Sequence, residues 1–379
     1  MRNSLQGERV IFVFNTLDLG GAERQGILLA KHLQEAEKSV VEVWGFDGPG
    51  RTGELCEEEG IPWRVVPFRW TGSRPRLLRE LLKFALELRR ARPSVLLPYT
   101  MRPNLVCCAV WKWAGARLCI WQQRDAGMDR GPRRLERWAV KCAPAFVTNS
   151  PSGLEFLDTT LGVESAKVQS IRNGVTLAPP VEDRATWRRR LGLGLEAPIA
   201  CMVANLHHHK DHETLLKAWR LLISTWPSAI EQPTLLLAGR DDGGMQSSKA
   251  LAFDLELGRN VKYMGPVEDV AGLLRAVDLG VFSSRLEGSP NGVLECMASG
   301  LAVAATDIPG IRDAVGQEGL AYLAPPGNAE RLADRIAWLL RDPVLRETLG
   351  LANRSRIEQD FGPLRMCEET VAVIKRGLR

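Results

Sequence analysis

One unbroken alternation constrains this chain more than any other feature. Short apolar runs follow one another along all 379 residues, separated by longer stretches with helical spacing. In the first half the runs are residues 10–15, 40–44, 63–66, 95–98, 119–121, 145–148 and 168–171. In the second half they are 199–204, 234–238, 261–263, 279–283, 302–305 and the short 322–323. Helical stretches such as 22–34, 76–90 and 212–224 lie between them. Such alternation specifies parallel sheets covered by helices on both faces. The pattern runs twice, and a Gly/Pro-containing stretch at 173–184, with Pro179-Pro180, reads as the linker. The expectation is α/β, with two doubly wound Rossmann-like domains facing across a cleft. Residues 1–175 would form the first domain, 176–360 the second and 361–379 a terminal helix. Doubly wound sheets bind ligands outside the carboxyl ends of their strands, so the cleft is the expected site.

Composition fits a folded, non-membrane chain, with 45% hydrophobic and 25% charged residues. No apolar run approaches the roughly 18 residues of a membrane helix. The apolar stretch 10–14 reads as a strand entering a Gly-rich turn and not as a signal peptide, so a cytoplasmic location is expected. The eight cysteines form no CxxC pair and no zinc spacing, and are expected as buried thiols. Residues 1–180 carry a net charge of +7 and the remainder −2. A basic half suits acidic ligands, an anionic membrane or nucleic acid. No aromatic platform or groove-reading motif accompanies the bases, which sets nucleic acid aside.

The strongest chemical signal follows the run 279–283. It reads Ser284-Arg285-Leu286-Glu287-Gly288-Ser289-Pro290-Asn291-Gly292-Val293-Leu294-Glu295. A strand ends, a turn-rich loop follows and a helix begins. Ser289 or Asn291 is expected to cap that helix, with Pro290 at its first position. The N–H groups and dipole at a helix start can hold a phosphate. Glu287 before the helix and Glu295 inside it would repel phosphate but suit sugar hydroxyls.

Other signals are weaker alone. Gly20-Gly21-Ala22-Glu23-Arg24 follows the first run, and paired glycines allow a sharp turn and close backbone approach. It is neither GxGxxG nor a Walker loop. Asn205-Leu206-His207-His208-His209-Lys210-Asp211-His212 follows the run 199–204. Lys210, just before a helix, can neutralise a diphosphate. The histidines invite a metal reading, but adjacent histidines are not expected to gather around one ion, and no metal is assigned. In the first half, Arg102, Arg124 and Asp125 sit just past strand ends and are candidates for the cleft wall, or form a local Arg–Asp pair. Asn173-Gly174 reads as a turn, and Asp241-Asp242 as a loop.

Taken together, these residues resemble the retaining glycosyltransferases of family 4, with the GT-B fold. The resemblance covers nearly the whole chain. It rests on Gly20-Gly21-Ala22-Glu23, Asn173-Gly174-Val175, Lys210 with Asp211-His212, Gly239, Gly265, Asp278, Glu287 through Glu295, and Pro309-Gly310. It implies that Glu295 holds the donor ribose and that Glu287 with the backbone of Gly288, Ser289, Pro290, Asn291 and Gly292 holds the transferred sugar. Lys210 and the Gly20-Gly21 turn would meet the diphosphate, with Asn205 and Gly239 nearby. It also implies a terminal helix returning to the first domain. Asn205 departs from the family, where an Arg is common, and no first-domain histidine matches near 121–125.

The implied reaction moves a hexose or N-acetylhexosamine from a nucleotide sugar to a glycan or lipid-linked acceptor, with retention and without cofactor or divalent ion. A UDP-sugar is favoured, GDP-mannose is the other donor considered, and cell-surface polysaccharide synthesis is the expected setting. The rival readings are an NAD-dependent oxidoreductase, against which the missing GxGxxG counts, a nucleotide-sugar epimerase or hydrolase, and a non-catalytic donor-binding subunit. Residues 74–92 add an expectation about location. Leu77, Leu78, Leu81, Leu82, Ala85 and Leu88 recur at helical spacing and are expected to pack on the sheet. The bases Arg74, Arg76, Arg79, Lys83, Arg89, Arg90 and Arg92 would form a rim for peripheral contact with an anionic membrane.

Overall fold

The computed structural model describes residues 4–70, 73–127 and 130–379. The chain divides into two compact units, Met1–Gly174 with Pro363–Arg379, and Val175–Gly362.

The first unit is built on β1 (Arg9–Phe14), β2 (Val40–Gly45), β3 (Trp63–Val65), β4 (Val95–Pro98), β5 (Leu118–Gln123), β6 (Ala145–Thr148) and β7 (Val168–Ser170). Their order is β3-β2-β1-β4-β5-β6-β7, and every pairing is parallel. Side chains alternate across the pleat. Val10, Phe12 and Phe14 therefore enter one core, and Ile11 and Val13 the other. All five are fully buried, because helices cover both faces. Helices Arg74–Ala91, Met101–Val110 and Arg133–Cys142 contribute Leu81, Leu105 and Leu135 to the Ile11 side. Helices Gly21–Glu35 and Pro363–Gly377 contribute Ile27 and Val371 to the other. The terminal helix is fixed there by Lys375 Nζ on Glu37 Oε1 at 2.8 Å and by Arg117 Nη2 on the Leu378 carbonyl at 3.1 Å.

The second unit carries β8 (Ile199–Val203), β9 (Thr234–Ala238), β10 (Val261–Gly265), β11 (Leu279–Phe282), β12 (Val303–Thr306) and β13 (Leu323–Ala324). Their order is β10-β9-β8-β11-β12-β13, again all parallel. Every apolar run singled out in the sequence forms one of these thirteen strands. Asp278, one of the residues behind the family resemblance, precedes β11 and so lies at the opposite end of that strand from the Glu287 loop. It accepts from Arg188 Nη2 at 2.9 Å and from the Ile199 N–H at 2.8 Å. Arg188 is fully buried, and its remaining bonds go to the carbonyls of Ala276, Gly194, Leu195 and Ala197. Such a complete set of acceptors is what makes a buried guanidinium tolerable. The role of Asp278 is therefore structural.

All eight cysteines are free thiols, seven of them buried. No helix of the described residues is long and apolar enough to cross a membrane.

Candidate active site

In each sheet the strand order reverses once, between β1 and β4 in the first unit and between β8 and β11 in the second. At such a reversal the loops leaving neighbouring strands diverge and open a crevice beyond their carboxyl ends. In the second unit the two loops that diverge carry Lys210, after β8, and Glu287, after β11.

The two side chains meet. Lys210 Nζ donates to Glu287 Oε1, and Ser284 Oγ donates to the same oxygen at 2.7 Å. The Glu287 side chain is only 9% exposed, so these donors replace hydrogen bonds that water cannot supply. The backbone behind Lys210 is fixed as well: its carbonyl accepts from Ser283 Oγ at 2.9 Å. Next to it Asp211 takes a left-handed conformation, φ 48°, and caps helix His212–Ser224 through Thr214. Arg285 ties the loops together, with Nε on Asp211 Oδ2 at 2.8 Å and its N–H on the His209 carbonyl at 2.8 Å. Burial works to raise the Asp211 carboxyl, but the bonds from Arg285 and Thr214 prevail and hold it below its ordinary value.

Helix Asn291–Ala298 begins one residue later than a capped start at Ser289 would require. Pro290 occupies the N-cap position, where it makes no side-chain cap, and Asn291 is the first helical residue. The expected cap is thus corrected. Two glycines make this arrangement possible. A Cβ on Gly292 would lie 2.1 Å from the Val203 carbonyl, so only glycine lets the helix start against the end of β8. A Cβ on Gly310 would lie 2.3 Å from the Gly288 carbonyl, so only glycine lets helix Pro309–Gly319 approach the Glu287 loop. Glu295 is half-buried on the helix, while Val293, Leu294, Cys296 and Met297 around it are buried.

Asn205 knits the ends of β8 and β9, and Gly239 those of β9 and β10. Asn205 Oδ1 accepts from the Arg240 N–H at 3.3 Å, and its Nδ2 donates to Asp242 at 2.9 Å. The Gly239 N–H donates to the Gly265 carbonyl at 2.9 Å. Arg240 is exposed and bonded to Asp242 at 2.7 Å, so its guanidinium and the Asn205 amide share one carboxylate. Asp241 accepts from the N–H groups of Gly243 and Met245, as a loop-forming aspartate does.

The histidines contradict one premise of the sequence reading. His207, His208 and His209 do gather, each offering a nitrogen within 4.8 Å of the others. A short 3-10 turn at His208–Lys210, following an extended His207, folds the rings onto one another. Burial, with His208 beside them, pushes the His207 and His209 imidazoles below their ordinary value. His212 is buried, and desolvation with help from Lys210 pushes it down to about 4.

In the first unit Gly20 caps helix Gly21–Glu35 without a side-chain bond, and Glu23 folds back so closely that a Cβ on Gly20 would lie 2.7 Å from its carboxylate. Arg124 and Asp125 do not form the local pair considered for them. Asp125 accepts from Gln123 Nε2 at 2.9 Å and from the Gly127 N–H at 2.7 Å. Arg124 is buried over the Tyr99 ring at 4.8 Å, with Gln122, Asn173 and Tyr99 as its hydrogen-bond acceptors among the described residues. Arg102 is exposed, 5.9 Å from the Trp70 ring. Asn173-Gly174 is more than a turn: Gln25 makes two 2.8 Å bonds to the Gly174 backbone. Thr100, at the end of β4, holds φ 68° and ψ 173°, a region nearly restricted to glycine. Neither Gln25 nor Thr100 had a signal in the sequence. Ser284 did, three residues before Glu287.

Comparison with known proteins agrees with this architecture. HepE from Anabaena, solved with UDP and glucose, superposes with a TM-score of 0.83 at 21% identity, over 97% of this chain and 100% of that one. The fold is therefore a two-domain α/β GT-B fold. The Glycosyltransferase Family 4 description matches residues 19–178, and Glycosyl transferases group 1 matches 183–356. The chain belongs to the family 4 type of GT-B glycosyltransferases. Among curated relatives, the D-inositol 3-phosphate glycosyltransferase of Jonesia denitrificans is 27% identical over 62% of this chain. The N,N'-diacetylbacillosaminyl-diphospho-undecaprenol alpha-1,3-N-acetylgalactosaminyltransferase of Campylobacter jejuni is 29% identical over 57% of it. The chain spans less than two thirds of the length of these relatives, 58% and 56%.

Proposed function

We propose that this chain transfers a hexose or N-acetylhexosamine from a nucleotide sugar, a UDP-sugar ahead of GDP-mannose, to a glycan or lipid-linked acceptor with retention. The observation that carries this reading is the Lys210–Glu287 pair at the strand-order reversal of the second unit. Lys210 offers the charge that a leaving diphosphate needs, an electrostatic task worth most in a site that excludes water. Glu287 accepts hydroxyl donors from the transferred sugar, while the uncapped start of helix Asn291–Ala298 directs backbone N–H groups at phosphate. Glu295, inside that helix, receives the ribose hydroxyls. In the first unit the Gly20-Gly21 turn offers a second helix start, and Arg102, Arg124 and Asp125 are candidates for acceptor contacts. No step assigned to these residues calls for a divalent ion. The UDP in the HepE structure and the polyprenyl-linked acceptor in the name of the Campylobacter relative support the donor and acceptor classes.

The setting is cytoplasmic, peripheral at the inner face of the plasma membrane, in cell-surface polysaccharide synthesis. Helix Arg74–Ala91 differs here from the sequence expectation. Leu81, Phe84, Ala85 and Leu88 pack on the sheet, whereas Leu78, Leu82 and Leu86 are 48%, 47% and 55% exposed. An apolar ridge with one residue per turn thus lies among exposed bases, as an interfacial helix requires. Exposed Trp113, in the turn after helix Met101–Val110, and Trp138, on helix Arg133–Cys142, form an edge-to-face pair at 5.8 Å, and tryptophan is a typical interface anchor.

A panel of UDP- and GDP-sugars incubated with lipid-linked acceptors tests the reading. A conjugate whose anomeric configuration matches the donor's supports it. Release of free or epimerised sugar alone, or donor binding without turnover on any acceptor, overturns it.

A further inference from the structure

We propose that His207, His208 and His209 form a binding site for a first-row transition-metal ion of the Zn²⁺, Ni²⁺ or Cu²⁺ type. Each histidine offers one ring nitrogen, and the three lie within 4.8 Å of one another. The ring centroids are 4.1, 5.0 and 3.8 Å apart. Imidazole nitrogens bound to one zinc at about 2.0–2.1 Å sit somewhat closer than this. Side-chain rotations can close the remaining gap, because the backbone already points all three rings the same way.

That backbone is held by bonds made for other reasons. The Lys210 N–H donates to the His207 carbonyl at 2.9 Å, which closes the 3-10 turn. Arg285 and Ser283 hold the His209 and Lys210 carbonyls from the β11 side. The three ligands are therefore pre-organised, and little ordering entropy opposes binding.

Two carboxylates and one ammonium act on the cluster. Burial keeps the outer two rings neutral near pH 7. A neutral imidazole presents a lone pair at one ring nitrogen and keeps its N–H on the other. The Asp242 carboxylate acts on His207 and the Glu287 carboxylate on His209, each in the direction that welcomes positive charge, while the Lys210 ammonium opposes it at both rings. One local bond must change: His207 Nδ1 accepts from the His209 N–H at 3.4 Å, a long contact that capture through Nε2 would give up.

Three nitrogen donors select the metal. Imidazole suits zinc, nickel and copper, while magnesium and calcium require oxygen ligands. Three protein ligands leave a position for water. The only thiol that is not buried is Cys142, in the other unit, and it is the competing site that a test must separate.

Cobalt(II) titrated into the full chain, followed by visible absorption, makes that separation, because thiolate ligation adds an intense near-ultraviolet charge-transfer band. The expected result is one saturable Co²⁺ per chain without that band, displaced by Zn²⁺ and not by Mg²⁺. H208Q changes an exposed side chain and should lower the affinity at least tenfold, H207Q/H208Q further, with circular dichroism and metal-free melting unchanged. Equal affinity in H208Q and wild type, a thiolate band, displacement by Mg²⁺, or no saturable binding would each overturn the site.

Discussion

The ammonium of Lys210 and the hydroxyl of Ser284 both donate to one oxygen of Glu287, so the carboxylate arrives at the site already held from two sides. Lys210→Ala removes the group that would stabilise a leaving diphosphate and strips the buried carboxylate of its counter-charge. The expected cost is on the order of 10²- to 10³-fold in turnover, with a smaller effect on donor affinity. Stability should fall by about 1–2 kcal/mol, since the pair is only partly buried and the carboxylate keeps the Ser284 hydroxyl as a donor. The double variant K210M/E287Q separates the two effects. It should recover most of the stability and none of the activity; wild-type turnover in K210A at saturating donor would remove Lys210 from the mechanism.

Glu295 is half-buried among buried apolar neighbours on helix Asn291–Ala298. If it holds the ribose, Glu295→Ala loses hydrogen bonds to a charged acceptor, worth about 1.5–3 kcal/mol. Titration calorimetry with the nucleoside diphosphate should show binding weakened by about one to two orders of magnitude, at unchanged melting temperature. Affinity equal to wild type would reassign the residue.

His212 makes acid stability a readout of local packing. Its folded value of about 4 lies below the ordinary 6.5, chiefly through burial, with Lys210 adding and Asp211 opposing. The unfolded chain therefore takes up a proton between those values while the folded chain does not. The contribution to stability is whole above pH 6.5 and is lost as the pH falls to about 4, at most about 3 kcal/mol. Urea unfolding at pH 7.5, 6 and 4.5 should show a shallower decline in His212→Asn. Parallel declines in variant and wild type would mean that His212 titrates normally in the folded state.

Leu78, Leu82 and Leu86 touch little of the first unit's core, so L78S/L82S/L86S should fold normally. Sedimentation with vesicles containing anionic lipid should show at least a tenfold loss of binding relative to wild type. Because each nearby base contributes about 1 kcal/mol at an anionic surface, wild-type binding should weaken with salt. Equal binding to neutral and anionic vesicles, or none to either, would withdraw the membrane assignment.

What the sequence determined by itself was the architecture and the strand, turn and helix segment that carries Glu287 and Glu295. Strand runs separated by helical spacing admit few solutions, since a strand buried on both faces must be continuously apolar. The placement of Glu287 and Glu295 was legible because strand, turn and helix signals bracket them in one short segment. Tertiary structure decided what distant segments do to one another. The contact of Lys210 with Glu287 spans 77 residues of sequence, and the union of Arg188 with Asp278 spans 90. No local pattern encodes either. Thr100 carries its left-handed φ without any glycine to announce it, because the surrounding packing imposes it. The leucines of helix Arg74–Ala91 divided between core and solvent because a sheet covers only one side of a helix, and the ridge it leaves uncovered is visible only once the helix is docked.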